Sequence, residues 1–320
     1  MKYRTFGSSD IQISEIGFGG WGIGGNHGKS IAYGPTDDKE SIEALNTSYE
    51  KGINFFDTSP LYGFGHSEKL IGKVFKNKRK NLIYGTKVGY INYNGDQNFS
   101  SEFIEQSLNN SLLRLETDYV DLLQMHDVPL ESLENSDEVI ETLISLKKKG
   151  KCRYFGVSNK TQRDSKEVLK KNFFDSVQLN FNLIDQRAIE NGLFKDCKKK
   201  STAIICKTPL CFGFLTGQYN FKTIFHSDDH RSKWSKEQIK IWSNSLTYFL
   251  NELKDSDNQS ITQLALRFCL SFNEISTIIP GMLNKSQVIE NTQSSNLTPY
   301  SQEILDRIKK IYNTNSFFIK

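Results

Sequence analysis

The stretch INFFDTSPLYGFGHSE, residues 53–68, is the part of the sequence that best indicates the fold. It opens with a short apolar run that stops at a carboxylate, Asp57, and a Thr-Ser-Pro turn follows. Tyr62 then stands among glycines, and a helix-like segment begins at Ser67. Barrel enzymes carry catalytic groups where a buried strand ends in a charged residue before a loop. The alternative is structural: Asp57 caps the turn, Pro60 begins a helix and Tyr62 lies on the surface.

The composition indicates a chain with a large core and few possible partner classes. Of the 320 residues, 37% are hydrophobic and 24% are charged, and the formal net charge of +4 is too small to indicate nucleic acid. This length fits one barrel-sized domain or two ordinary ones. No apolar run approaches the roughly 18–20 residues of a membrane helix, and we expect no secretory signal at the start. The five cysteines are scattered without C-x-x-C spacing, which predicts buried thiols in a cytoplasmic protein.

Short apolar runs alternate with amphipathic segments along most of the chain. A predicted hairpin in residues 1–13 comes first. The predicted strands cover residues 16–20, 53–56, 82–87, 119–125, 153–157, 176–179, 203–206 and 276–279. The predicted helices cover residues 38–51, 68–75, 101–115, 137–149, 161–170, 188–199, 260–270, 286–293 and 301–312.

This alternation predicts an α/β fold, a (β/α)8 TIM barrel with an N-terminal β-hairpin and a C-terminal helical extension. We expect residues 1–320 to form a single domain, although residues 209–250 interrupt the alternation. An open doubly wound sheet is the alternative. It lacks support because no G-x-G-x-x-G motif follows the first strand.

Five consecutive predicted strands, the second to the sixth, have polar side chains at their carboxyl ends. These side chains are Asp57, Lys87, His126, Ser158, Asn159 and Gln178. In a barrel such ends lie side by side around one mouth. Each residue alone also has a structural interpretation: Lys87 could lie on the surface, and His126 could be a histidine without a catalytic role. Five successive strand ends together indicate one pocket.

The residue types in this pocket suit the reduction of a carbonyl group. A tyrosine with a pKa of about 10 is a poor acid at neutral pH. A neighbouring ammonium lowers that pKa, so we expect Lys87 to activate Tyr62 and Asp57 to hold Lys87 in place. His126 can donate a hydrogen bond to the substrate oxygen. The reaction then needs a hydride donor, which side chains cannot supply. The histidines show no metal-ligand spacing, so we expect no metal.

The chain resembles the aldo-keto reductase family over nearly its whole length. The matching segments are YRTFGSSDIQISEIGFGGWGIG, GINFFDTSPLYGFGHSE, GTKVG, VDLLQMHDVP, GKCRYFGVSN, VQLNFNL, TPLCFGFLTGQY and IIPGMLNKSQVIEN. The resemblance implies a barrel that binds NAD(P)H in extended form, with Asp57, Tyr62, Lys87 and His126 as the catalytic tetrad. The cofactor-binding residues that it implies are Gly20, Trp21, Asp57, Ser158, Asn159, Gln178, Lys207, Thr208, Pro209, Leu210, Gly213, Leu215, Gly281, Met282, Lys285, Gln287, Glu290 and Asn291.

Two positions depart from the pattern of many family members. Lys207 stands where many members place an aromatic residue on the nicotinamide, and as in a minority branch we expect it to contact phosphate. Gly281 and Gln287 stand where members with a strong NADPH preference have Lys and Arg. Lys285 could replace those cations at the 2′-phosphate, or simply begin a helix. We therefore predict NADPH as the cofactor, with NADH possible.

The function predicted from the sequence is NAD(P)H-dependent reduction of a small-molecule aldehyde or ketone in the cytoplasm. We expect a monomer or a small homo-oligomer, without a nucleic-acid or membrane partner. Two alternatives stay open: a cofactor-binding regulatory subunit, as the potassium-channel β subunits of this family are, and a Schiff-base lyase using Lys87. The predicted lids, residues 89–100 and 211–234, are rich in Asn, Tyr, Phe, His and Asp, which suits a sugar-like carbonyl better than a steroid-sized one.

Overall fold

The computed structural model describes residues 1–27, 31–134, 137–253 and 259–319. An antiparallel pair, β1 (Tyr3–Thr5) and β2 (Gln12–Ser14), comes first. Eight parallel strands then form one sheet in which each strand pairs with the next along the chain. They are β3 (Phe18–Gly19), β4 (Phe55–Asp57), β5 (Ile83–Val88), β6 (Val120–His126), β7 (Cys152–Ser158), β8 (Ser176–Asn180), β9 (Ala203–Lys207) and β10 (Ile275–Ile278).

The sheet closes on itself where β10 meets the first barrel strand. Parallel bridges join Ile16 to Ile278 and Gly19 to Gly281. The Gly19 N–H donates a hydrogen bond of 3.1 Å to the carbonyl oxygen of Pro280. A Cβ atom at Gly19 would lie 2.7 Å from the carbonyl oxygen of Ile279, so this seam requires glycine. The predicted (β/α)8 barrel with its N-terminal hairpin is confirmed.

Thirteen α-helices are present in the described residues, and most of them lie between consecutive strands. They are α1 (Asp38–Glu50), α2 (His66–Phe75), α3 (Ser101–Arg114), α4 (Leu130–Glu134), α5 (Asp137–Lys148), α6 (Gln162–Lys170), α7 (Arg187–Glu190), α8 (Leu193–Lys200), α9 (Lys236–Ser245), α10 (Leu250–Leu253), α11 (Ile261–Leu270), α12 (Lys285–Gln293) and α13 (Gln302–Thr314). None of them is both long and apolar enough to cross a membrane.

The single helix predicted for residues 188–199 is wrong. Two helices, α7 and α8, occupy this region, and Asn191 and Gly192 separate them. Gly192 has φ of 78°, a left-handed conformation that interrupts a right-handed helix. The short helix α4 was also missed, because five residues are too few to show a helical period.

The apolar side chains form two layers because successive residues of a strand point to opposite faces. Outward-facing residues such as Phe56 and Leu123 pack beneath the helices, in a cluster that includes residues of most of the helices. Inward-facing residues such as Phe55 and Leu122 belong to a second cluster with the hairpin residues Phe6, Ile11 and Ile13. The hairpin therefore fills the end of the barrel where the strands begin. The opposite end, where the strands finish, holds polar side chains.

Candidate active site

A cavity of about 670 Å³ opens at the carboxyl ends of the barrel strands. Asp57, His126, Gln178 and Lys207, from four different strands, form its floor. Loops that follow β3, β5, β9 and β10 form its walls. The barrel thus brings together side chains that are far apart in the sequence.

Lys87 lies beneath this floor and is fully buried. Its Nζ atom lies 2.5 Å from Asp57 Oδ1, 2.9 Å from the carbonyl oxygen of Thr58 and 3.1 Å from the hydroxyl oxygen of Tyr62. An ammonium group has three protons, so each of them has an acceptor. Burial lowers the pKa of Lys87, and the attraction of Asp57 opposes that effect. These contacts hold the ammonium in one position.

The second carboxylate oxygen of Asp57 accepts hydrogen bonds from two glutamines. Gln124 Nε2 lies 2.9 Å and Gln178 Nε2 lies 2.7 Å from Asp57 Oδ2. Gln178 Nε2 also lies 3.1 Å from Gln124 Oε1. The sequence analysis named Gln178 but missed Gln124. Its only signal is an amide in the apolar strand VDLLQMH, where a buried polar side chain needs a partner.

The pKa of Tyr62 differs from the prediction. Burial raises it well above the ordinary value of 10.0, and Asp57 and then Asp127 act in the same direction. The expected lowering is wrong because a buried tyrosinate loses its hydration, and the charge of Lys87 is balanced by Asp57. Tyr62 therefore keeps its proton at neutral pH. Its hydroxyl is a proton donor with a cation 3.1 Å away that can stabilise the oxygen after the proton has left.

His126 lies beside Tyr62 at the end of β6. Its ring is perpendicular to that of Tyr62, with 6.2 Å between the centroids, and its Nδ1 atom is 3.4 Å from Ser59 Oγ. Burial lowers the pKa of His126 well below its ordinary value of 6.5, and the charges of Lys87, Lys207 and Lys160 add to this effect. The imidazole is therefore neutral and has one N–H to donate.

The residues named as cofactor contacts fall into two groups. Those that line the cavity are Gly20, Trp21, Asp57, Gln178, Lys207, Thr208, Pro209, Leu210, Gly213, Gly281, Gln287, Glu290 and Asn291. Those that do not line it are Ser158, Asn159, Leu215 and Met282, all buried, and Lys285. Lys285 is 54% exposed and lies 3.1 Å from Glu43 on the surface.

Lys207 ends β9 at the floor of the cavity. Its Nζ atom lies 3.0 Å from Ser158 Oγ and 3.8 Å from Asp127 Oδ1. Ser158 Oγ in turn lies 3.3 Å from Gln178 Oε1. The ammonium of Lys207 is thus beside Ser158, one of the predicted cofactor-binding residues, at the same floor as Asp57.

Several residues that line the cavity were not named individually in the sequence analysis. The segment 89–100 contributes Tyr90, Asn92, Tyr93, Asn94 and Gly95, and the segment 211–234 contributes Phe212, Thr216, Gln218, Tyr219 and Arg231. Both segments were predicted as lids, and both line the cavity. Asp127, Lys160 and Asn180 follow or end barrel strands and were missed, although Asp127 directly follows His126 in the sequence. No three His, Cys, Asp or Glu residues form a metal-binding group within the described part of the chain.

The loop after β3 and the loop after β9 meet across the cavity rim. Tyr33 and Asp229 form an antiparallel bridge, and the His230 N–H donates a hydrogen bond of 3.1 Å to the Ala32 carbonyl oxygen. Asp229 also pairs with Arg231, with 2.6 Å between Oδ2 and Nη2. These contacts fix one wall of the cavity.

The barrel fold agrees with the comparisons with known proteins. The model of the Aldo/keto reductase family matches residues 15–313. The chain therefore belongs to this family, and it is an NAD(P)H-dependent aldo-keto reductase.

Three known proteins illustrate the similarity. Aldo-keto reductase YhdN of Bacillus subtilis is 33% identical, over 84% of this chain and 81% of that protein. L-galactose dehydrogenase of Arabidopsis thaliana is 31% identical, over 91% of this chain and 87% of that protein. The solved holo structure of aldo-keto reductase AKR11C1 from Bacillus halodurans is 27% identical with a TM-score of 0.79, over 99% of this chain and 98% of that one.

Proposed function

We propose that this protein reduces an aldehyde or ketone with a hydroxylated, sugar-like structure, with Tyr62 as the proton donor and NADPH as the preferred cofactor. The observation that carries the proposal is the line of contacts from the Tyr62 hydroxyl through Lys87 to Asp57. A carbonyl oxygen that gains negative charge needs a proton donor and a nearby positive charge. This part of the cavity floor offers both.

Each of the four polar residues has its own role in the proposed reaction. Tyr62 and His126 donate hydrogen bonds to the carbonyl oxygen, and Tyr62 then gives up its proton. The Ser59 contact occupies His126 Nδ1, which leaves Nε2 for the substrate. Lys87 stabilises the tyrosinate through its charge, and Asp57 holds Lys87 in place. The hydride for the carbonyl carbon would come from a bound nicotinamide cofactor.

The residues of the cavity fit an extended dinucleotide. The cavity runs from the floor at Asp57 to α12, where Gln287, Glu290 and Asn291 line it. Amide and ammonium groups of Gln178 and Lys207 stand at the floor end, where a carboxamide needs polar partners. Glycines at positions 20, 213 and 281 leave room along the walls. Ser158 and Asn159 are both buried and do not line the cavity. We infer that they act on the cofactor site from behind the side chains that line it.

The class of substrate is supported by the polarity of the walls. The lid segment after β5 contributes two tyrosines and two asparagines, Tyr90, Tyr93, Asn92 and Asn94. Rings that stack and amides that hydrogen-bond suit a polyhydroxylated carbonyl compound. A relative named L-galactose dehydrogenase agrees with this class.

A screen of carbonyl compounds tests the proposal directly. We expect NADPH consumption at 340 nm with short aldehydes and hydroxyaldehydes, and higher kcat/KM for the hydroxylated compounds. Steroid-sized ketones serve as the comparison and should be poor substrates, since the walls are polar. Faster turnover of the apolar ketones would contradict the proposed class. An absence of cofactor-dependent reduction throughout the screen would contradict the proposed reaction.

The cofactor preference is a separate prediction. We expect NADPH to have a higher kcat/KM than NADH, and Lys285→Ala to reduce this ratio by a few-fold, because an exposed charge contributes about 1 kcal/mol or less. The effect is small since Lys285 also pairs with Glu43. Lys309→Ala, at an exposed lysine of α13, is the matched control. A higher kcat/KM with NADH in the unmodified protein would show that this prediction is wrong.

We also propose that the protein works in the cytoplasm as a monomer or a small homo-oligomer. All five cysteines are buried free thiols, which supports a reducing compartment. Analytical ultracentrifugation of the purified chain would measure the oligomeric state.

A further inference from the structure

Asp127 is a polar residue of the cavity that the proposed reaction does not use. It directly follows His126 and lines the same cavity. Its backbone has φ of 51°, a left-handed conformation that Asp adopts more readily than most residues. The Asp127 N–H donates a hydrogen bond of 2.6 Å to the carbonyl oxygen of Ser158, which holds the residue against β7. A strained but fixed backbone at this point indicates a positioned side chain.

The two carboxylate oxygens of Asp127 differ in their surroundings. Oδ2 accepts a hydrogen bond of 3.0 Å from the Tyr90 hydroxyl. Oδ1 is buried and has no hydrogen-bond partner among the residues that the structure describes. The nearest cation, Lys207 Nζ, lies 3.8 Å from Oδ1, within reach of an ion pair but beyond a hydrogen bond. A buried oxygen of this kind needs a donor, because leaving it unpaired costs free energy.

The chemistry of a carboxylate limits which groups can pair with Asp127 Oδ1. A carboxylate accepts hydrogen bonds and donates none, so the partner must carry an O–H or N–H group. Tyr90 faces both Asp127 and His126, with 4.8 Å between the Tyr90 and His126 ring centroids. The Asp127 carboxylate and the imidazole of His126, proposed to bind the substrate carbonyl, thus contact the same tyrosine. Lys160 and Asn180 line the same region and can donate to other substrate oxygens.

We propose that Asp127 is a specificity-determining residue whose Oδ1 accepts a hydrogen bond from a hydroxyl on the carbon next to the substrate carbonyl. This inference rests on the proposed carbonyl reduction and names the substrate class as 2-hydroxy aldehydes and ketones. A substrate without the hydroxyl leaves Oδ1 unpaired in the closed site and is disfavoured for that reason. Tyr90 is a positioning residue that holds the other oxygen of the carboxylate.

The test compares 2-hydroxypropanal with propanal, which differ only in this hydroxyl. In Asp127→Asn, the amide oxygen should keep the hydrogen bond from the Tyr90 hydroxyl, and the NH2 group that replaces Oδ1 cannot accept one. The ratio of kcat/KM for 2-hydroxypropanal to that for propanal should therefore fall by about tenfold or more, as for the loss of a hydrogen bond to a charged group. The different reactivities of the two aldehydes cancel when the ratio is compared with that of the unmodified protein. Tyr90→Phe should lower the ratio by a smaller factor. Asp118→Asn removes an exposed carboxylate that does not line the cavity and should leave the ratio unchanged.

The possible outcomes distinguish a failure of the inference from a failure of the proposed function. An unchanged ratio in Asp127→Asn, with propanal still reduced by the unmodified protein, would overturn the inference and leave the proposed function intact. An equal loss for both aldehydes together with a raised KM for NADPH would overturn it too, since Asp127 would then act on the cofactor. If the unmodified protein reduces neither aldehyde, the proposed function fails and the inference fails with it. Thermal unfolding of each variant, compared with the unmodified protein, identifies a loss of activity caused by misfolding. If Asp127→Asn misfolds, the ratio measured with Tyr90→Phe decides whether the inference holds.

Discussion

Replacing Tyr62 by phenylalanine is expected to lower kcat for carbonyl reduction by about 10²–10⁴-fold, the usual contribution of a positioned general acid. The ring and its contacts remain, and only the hydroxyl that lies 3.1 Å from Lys87 is lost. Binding of NADPH should therefore stay nearly unchanged. Steady-state kinetics with the best aldehyde of the screen and a fluorescence titration with NADPH measure the two quantities separately.

The control for Tyr62→Phe is Tyr248→Phe, because Tyr248 is 51% exposed and does not line the cavity. A pH profile adds an independent measurement. Tyr62 donates its proton only below its pKa. Because burial raises that pKa well above 10.0, Tyr62 should still carry its proton, and so still act as the acid, at pH 10.0. Near-normal turnover in Tyr62→Phe would remove Tyr62 from the role of acid.

Lys87→Met is expected to abolish reduction and also to destabilise the protein. The substitution leaves Asp57 as a buried carboxylate without its cation, which costs about 3–5 kcal/mol of unfolding free energy for a broken buried pair. Gln124 and Gln178 still donate to Asp57 Oδ2 and reduce part of that cost. Chemical denaturation and steady-state kinetics on the same preparation measure both effects.

A second variant separates the loss of stability from the loss of activity. Lys87→Met combined with Asp57→Asn removes the unpaired charge and should recover much of the stability, yet no activity. Lys73→Met, at an exposed lysine of α2, controls for the substitution itself. Lys87→Arg keeps the charge, but the planar guanidinium does not fit where an ammonium has three acceptors, so only weak activity should remain.

The role of Lys87 also distinguishes reduction from Schiff-base chemistry. The three hydrogen bonds of its ammonium make it an electrostatic group, and no covalent bond to the substrate is expected. Borohydride treatment in the presence of a carbonyl ligand, followed by mass spectrometry, should leave Lys87 unmodified. A stable adduct on Lys87 would show that the proposed mechanism is wrong.

The fold could be predicted from the sequence because the alternation of short apolar runs and amphipathic segments is a local property. The polar residues at strand ends, such as Asp57, Lys87 and His126, could be found in the same way, since each interrupts an apolar run. The break between α7 and α8 could not, because Gly192 was compatible with a helix until its φ angle was known.

The rest of the site depends on three-dimensional packing that no local pattern records. Gln124 reaches Asp57 only because β4 and β6 face the same interior. Lys207 meets Ser158 because of the lateral order of the strands, whereas Lys285 faces Glu43 on the surface. The pKa of Tyr62 depends on burial, which spacing along the chain does not show. The assignment of residues 1–320 to a single domain stays a prediction.

The hairpin fills one end of the barrel with apolar packing, whereas the reactive groups lie at the opposite end of the barrel axis. Phe6, Ile11 and Ile13 pack with apolar strand residues at the hairpin end, whereas the other end holds an ion pair and amides. Buried polar groups cost free energy that their hydrogen bonds must offset, so they contribute less net stability than apolar packing does. The apolar end can hold the scaffold together while residues at the opposite end change. Laboratory evolution of new substrate ranges should therefore tolerate diversification of the rim far better than any change to the hairpin.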